Sequence, residues 1–202
     1  MKICKLLVLL ALSIAVTPAA TKKVDFHVSE ADLAKQPNRT AQEKVTMAAA
    51  AYMDAVTAKP IFGGKANPYD EGILPILVMI KNESSQTISL RKLKVEFLIG
   101  GRQKIEPTPP VEVPYIHGSQ KVRLEQSQIP GGSGRMKSKK NPFQVLDFQE
   151  RGFAAKMLPP GEFASGFFYF QSGLTRGSKV LIQGLSEAGT GKELFFFELP
   201  LD

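Results

Sequence analysis

The amino-acid sequence predicts a mainly β chain folded as an antiparallel β-sandwich, with one or two short helices in an inserted segment. Three observations carry this. Ile73-Leu74-Pro75-Ile76-Leu77-Val78-Met79-Ile80 is a short, β-rich apolar run whose length and composition suit a buried strand. Ile88 and Leu90 then alternate with polar neighbours, as do Leu93, Val95, Phe97 and Ile99, which puts one face in a core and the other in water. The final third returns to strand-like runs rich in phenylalanine, separated by glycine- and proline-containing turns.

Taken in order, the chain opens with Lys2 and Lys5, an apolar run from Leu6 to Val16, the small residues Thr17-Pro18-Ala19-Ala20, and an abruptly polar Thr21-Lys22-Lys23. This is the layout of a secretory signal peptide over residues 1–20, cut after Ala19 or Ala20. The apolar run is too short for a bilayer, which needs roughly 20 apolar residues. Cys4 lies ahead of that run and is removed with it, so it is not the acylated first residue of a mature lipoprotein. Residues 21–42 are polar and read as a flexible leader, with a brief strand near Val24–Val28.

Residues 43–202 read as one domain, long enough for a full core without disulfides. Within it a first strand is expected at about 44–50, where β-branched residues open the stretch Val45-Thr46-Met47-Ala48-Ala49-Ala50, followed by a short helical turn or loop. The strand at 73–80 runs into a polar turn, Lys81–Gln86. The phase of the alternation slips near Lys92, which marks a bulge or a corner between sheets, and Gly100-Gly101 ends that strand.

Residues 102–151 are an irregular insertion, in which Pro107, Pro109, Pro110 and Pro114 forbid a continuous ladder. A short helix is expected at about Pro142–Arg151, with Phe143, Leu146 and Glu150 on one face. Strands follow after the Pro159-Pro160-Gly161-Glu162 turn at 165–170, and then at about 179–185 and 192–199. The last two form an antiparallel hairpin through Gly189-Thr190-Gly191. The total of six to eight short strands with turn chemistry between them is the pattern of a sandwich.

The stretches ILPILVMIKNESSQTISLRKLKVEFL, MLPPGEFASGFFYF and TGKELFFFELPL resemble a loose group of bacterial exported immunoglobulin-like domains of unknown function. In that group an apolar strand enters an Asn-x-Ser turn, and a later Pro-Gly-Glu turn precedes an aromatic strand. The resemblance covers roughly residues 70–100 and 153–202. It implies an immunoglobulin-like fold and export, and carries over no functional residue. The disulfide and buried tryptophan of antibody domains are absent, since the chain has no tryptophan and only Cys4.

Motifs with catalytic overtones fail on spacing. Gly189-Thr190-Gly191-Lys192-Glu193 lacks both the upstream glycine and the hydroxyl after the lysine that a phosphate-binding loop needs. Gly131-Gly132-Ser133-Gly134 has Arg135 where a nucleophile elbow needs glycine. His27 and His117 are the sole histidines; neither sits in a recognisable triad or metal-ligand set, and a thiol site has no cysteine in the mature chain. Asn38-Arg39-Thr40 and Asn82-Glu83-Ser84 fit the glycosylation pattern, which matters only in a eukaryotic secretory pathway.

The formal charge is +7, or +5 once Lys2 and Lys5 leave with the signal. That excess suits weak attraction to anionic surfaces. Its one concentrated feature is Arg135, Lys137, Lys139 and Lys140, a candidate anionic-surface contact. Aromatics do not interleave with these cations, which argues against single-stranded nucleic acid. Consecutive aromatics at Phe167–Phe170 and Phe195–Phe197 point to both faces of their strands, so one face needs a cover: the 102–151 insertion or a partner.

These observations imply a non-enzymatic, extracytoplasmic binding or scaffolding domain of a bacterial cell envelope. It would act without catalytic residues, metal or cofactor, with another envelope protein or an anionic envelope polymer as partner. The alternative is an exported hydrolase, or a ligand-binding enzyme subunit, built on the scattered carboxylates Asp54, Asp70, Glu71 and Asp147.

Overall fold

A computed structural model describes residues 26–63, 66–100, 103–120, 143 and 146–201. The elements in chain order are α1 (Glu30–Lys35), β1 (Thr40–Gln42), β2 (Val45–Ala51), α2 (Ala55–Phe62), β3 (Leu74–Asn82), β4 (Ile88–Ser89), β5 (Lys94–Ile99) and β6 (Gln103–Ile105). After these come α3 (Val113–Gln120), α4 (Phe148–Arg151), β7 (Met157–Leu158), β8 (Phe163–Phe170), β9 (Lys179–Gln183), β10 (Ser186–Glu187) and β11 (Phe197–Pro200). One sheet has the order β1-β2-β3-β8, a second β11-β9-β5-β6, and a small third sheet β10-β4-β7; all pairings between these strands are antiparallel. The chain is thus a mainly β, antiparallel sandwich with a few short helices.

The two four-stranded sheets pack face to face. Met47 and Ala49 of β2, Ile76 and Val78 of β3 and Phe170 of β8 meet Val95 and Phe97 of β5, Ile182 of β9, and Phe197 and Leu199 of β11. Phe97 and Phe170 touch across the gap, with ring centroids 5.5 Å apart. The opposite face of the first sheet forms a second core. There Ala48, Leu77, Met79, Phe167 and Tyr169 lie under Leu33 of α1, Ile61 and Phe62 of α2, Val113 of α3, and Phe143, Leu146 and Phe148. β3 is therefore buried on both faces, which is why its sequence is continuously apolar instead of alternating. The chain itself covers Phe167, Tyr169 and Phe170, and leaves Phe168 half-buried. Phe195 and Phe196 stand out, at 64% and 56% exposure.

Several boundaries differ from the sequence reading, each for a physical reason. Residues 26–42 are not a flexible leader. They carry α1 and β1, Leu33 is buried, and Arg151 holds the Phe26 carbonyl at 3.0 Å through Nη1 with its guanidinium 5.6 Å from the Phe26 ring centroid. One buried leucine and a side chain 125 positions away do this, and neither shows in local composition. No strand forms over the described part of Val24–Val28.

Of the helix expected at 142–151, the described residues show one α-helical turn, Phe148–Arg151, and Phe143 and Leu146 are buried in the second core. The phase slip at Lys92 is a corner: β4 and β5 belong to different sheets, and Leu93 N–H donates to Leu90 O across the turn. β9 and β11 pair antiparallel, with Phe197 opposite Ile182. The connection is longer than a hairpin because residues 186–187 first leave to join the small sheet as β10. Gly191 supplies a positive φ of 72° in the reversal, closed by Gly191 N–H to Glu187 O at 2.8 Å; Gly189 does not.

Candidate functional site

The site that the fold assembles is an open groove beside β8, an outer strand of the first sheet. Its construction begins with Gly166. A side-chain Cβ there would stand 2.4 Å from Phe153 Cα and 2.6 Å from Phe153 N, so only glycine lets the segment 152–156 lie against β8. That segment is tied at both ends: Phe153 N–H donates to Phe167 O at 3.2 Å, and Lys156 O accepts from Leu90 N–H at 2.9 Å. The Phe153 ring stacks on Phe168, centroids 5.5 Å apart and planes 24° from parallel.

Leu90 and Leu93, from the corner between β4 and β5, complete an apolar floor with these two rings. Arg91 and Lys156 stand exposed on the rim. Neither side chain makes a hydrogen bond or ion pair with any described residue. Lys44, Lys59 and Lys92 are likewise without a side-chain bond to a described residue, whereas several other lysines are paired. Lys81 pairs with Glu30 at 2.7 Å, Lys94 and Lys104 both grip Glu96, Lys179 pairs with Glu198, and Lys192 with Glu43. Two cations left unpaired beside an aromatic floor create a local positive potential over an apolar surface. Such a surface can hold an apolar group and an anion at once.

Of the candidate site residues singled out from the sequence, none that the structure describes lines the groove. Arg135, Lys137, Lys139 and Lys140 lie outside the described residues, as does the His117 side chain. His27 is exposed near the start of the described chain. Asp54 caps α2, its carboxylate accepting from Val56 N–H at 3.1 Å and Thr57 N–H at 3.2 Å. Asp147 lies at the other end of that helix, where a Cβ on Gly63 would sit 3.6 Å from its Oδ2. Eight helical residues rise about 12 Å, so these two carboxylates are not a catalytic pair. Asp70 and Glu71 belong to a separate 3₁₀ turn, Tyr69–Glu71. Among the described residues no group of three His, Cys, Asp or Glu side chains is placed to hold a metal ion.

Lys192 of the glycine-containing turn bonds Glu43 at 3.3 Å, and Thr190 Oγ1 donates to Glu187 at 2.7 Å, so the turn's polar groups serve the fold. Asn82 of the second glycosylation pattern is fully buried. Its Nδ2 donates to Gln86 O at 2.8 Å and Leu158 O at 2.9 Å, while its Oδ1 accepts from Ser84 N–H and Oγ. In the folded chain it clasps the turn after β3 to β7 and is closed to modification.

The groove joins residues 90–93 to 153–168, segments with no sequence signal linking them. The phase slip at Lys92 and the lone Gly166 inside an aromatic strand were the local hints, the latter marking a close backbone approach.

No family model and no curated protein matches this chain. A similar solved structure is the yjhA protein of Bacillus subtilis, at 12% sequence identity and a TM-score of 0.44, over 83% of this chain and 99% of that one. No residue or role is carried across from it.

Proposed function

We propose that the protein is a non-enzymatic binding or scaffolding domain that works outside the cytoplasm in a bacterial cell envelope, and that the groove beside β8 is its contact surface. The carrying observation is the pairing of an apolar floor, with Phe153 stacked on Phe168, and two cations, Arg91 and Lys156, that no described residue partners. An open surface of this kind suits contact with a macromolecule. A small-molecule site instead encloses most of its ligand. Export is supported by the signal-peptide layout of residues 1–20. The partner is another envelope protein or an anionic envelope polymer.

The test is capture from envelope extracts on immobilised mature protein, with Arg91→Glu/Lys156→Glu as the comparison and circular dichroism to confirm its fold. Retention by the unsubstituted protein and loss in the variant is the expected result. Equal retention by both places the contact elsewhere. Mass spectrometry of the exported protein should show an N-terminus at Ala20 or Thr21, and retention of Met1 would remove the envelope from the proposal.

A further inference from the structure

Resting on the reading of the groove as the contact surface, we propose that its occupant is an extended acidic peptide segment of a partner protein, with apolar residues alternating with carboxylates. The first argument is backbone chemistry. Ala154 and Ala155 line the groove between the two tethered ends of the 152–156 segment. Among the described residues neither their N–H nor their C=O groups take part in any hydrogen bond. Accessible backbone groups left without a partner in the chain can take one from an incoming strand. Alanine is also the side chain that obstructs such an approach least, and Ala154 is exposed.

The second argument is charge complementarity. Arg91 and Lys156 are the groove's cations, neither is neutralised by a described residue, and no carboxylate lines the groove beside them. A basic or neutral segment would leave both unanswered. The third is periodicity. Successive side chains of an extended peptide point to opposite sides, so alternation sets apolar side chains on the Phe153–Phe168 floor while carboxylates face the rim. Main-chain bonds supply affinity in such an arrangement, and the floor and rim supply the choice of sequence.

The experiment is fluorescence polarisation of the mature protein against a dye-labelled, capped hexapeptide of alternating glutamate and valine. The same peptide with lysine for glutamate, and one N-methylated at its valines, serve as comparisons. The glutamate peptide should bind and the lysine peptide should not. N-methylation, Arg91→Ser/Lys156→Ser, and about 0.5 M salt should each weaken binding about tenfold. Equal binding of all three peptides would overturn the proposal.

An uncharged apolar dye, N-phenyl-1-naphthylamine, separates the two readings, with Phe153→Ser as its control variant after thermal unfolding has confirmed the fold. If the glutamate peptide fails while the dye binds and is lost in Phe153→Ser, the acidic-peptide proposal falls and the groove stands as a contact surface. If neither probe binds, both fall.

Discussion

Glu96 shows how a single buried charge is held. Its side chain is 6% exposed, and its two oxygens take Lys94 Nζ at 2.9 Å and Lys104 Nζ at 3.1 Å. These hydrogen bonds, Lys94 first and Lys104 second, hold the carboxyl below the usual glutamate range against the opposing effect of burial. The sign follows directly. A depressed folded-state pKa contributes stability that is fully present above the ordinary glutamate value of about 4.3 and is lost as pH falls through the depressed one. Chemical denaturation of the protein and Glu96→Gln should therefore differ clearly at neutral pH and converge as the solution is acidified. A difference that does not shrink on acidification would show that the carboxylate contributes through packing alone.

The same scale shows where local reading stops. Asn82-Glu83-Ser84 announces a surface motif, yet Asn82 is a fully buried clasp, because its partner Leu158 O lies 76 positions along the chain. Arg91 and Lys156 are unremarkable as letters and become a pair only through the fold.

At the scale of elements, the β1–β2 turn is the clearest case of a feature that the sequence conceals. Its central residues Glu43 and Lys44 have φ of 48° and 62°, the left-handed region that a two-residue reversal demands and that Asn-Gly normally fills. Nothing in Glu-Lys signals a turn, so β1 went unrecognised beside the strand expected at 44–50. Lys44→Gly should relieve the left-handed backbone and keep the carbonyl that accepts Glu83 N–H at 2.8 Å. After the added chain entropy of glycine, the gain should be about 0.5–1 kcal/mol, or about 2–4 °C in Tm. Lys44→Val should move Tm the other way. A calorimetric scan in which neither variant shifts would refute the strain.

The β2 alanines went the opposite way. Their helix propensity was overridden because Ala48 and Ala49 sit fully buried against β3, opposite Met79 and Val78. Strands with strong alternation or a continuous apolar run were legible. β10, fixed by pairing with β4 almost a hundred positions away, was not, and neither was β6, a three-residue strand paired locally with β5.

At the scale of the molecule, the sandwich was readable because period-two alternation and aromatic strands record which faces are buried. The second core was foreseen only as a need for cover, since its lid is assembled from α1, α2, α3 and the side chains of Phe143, Leu146 and Phe148. The end of the chain is integral to this plan. β11 closes one edge of the second sheet, Phe197 and Leu199 are fully buried, and Pro200 O accepts from Asn38 Nδ2 near the start of β1. Each buried side chain of this size contributes about 1.5–3 kcal/mol, against a total of about 5–15 kcal/mol for a domain. Deleting residues 192–202 should abolish the cooperative thermal transition followed by circular dichroism, and a transition within a few degrees of the mature chain would make β11 peripheral.

The proposed contact through the groove beside β8 can be put to a direct test in vivo. Site-specific photo-crosslinking in the cells that make the protein tests it most directly, with a benzoyl-phenylalanine placed in turn at Arg91, at Lys156 and, on a different sheet, at Glu198. One shared adduct from Arg91 and Lys156, and none from Glu198, is the expected result. No adduct from the groove positions, or the same adduct from all three, would contradict it.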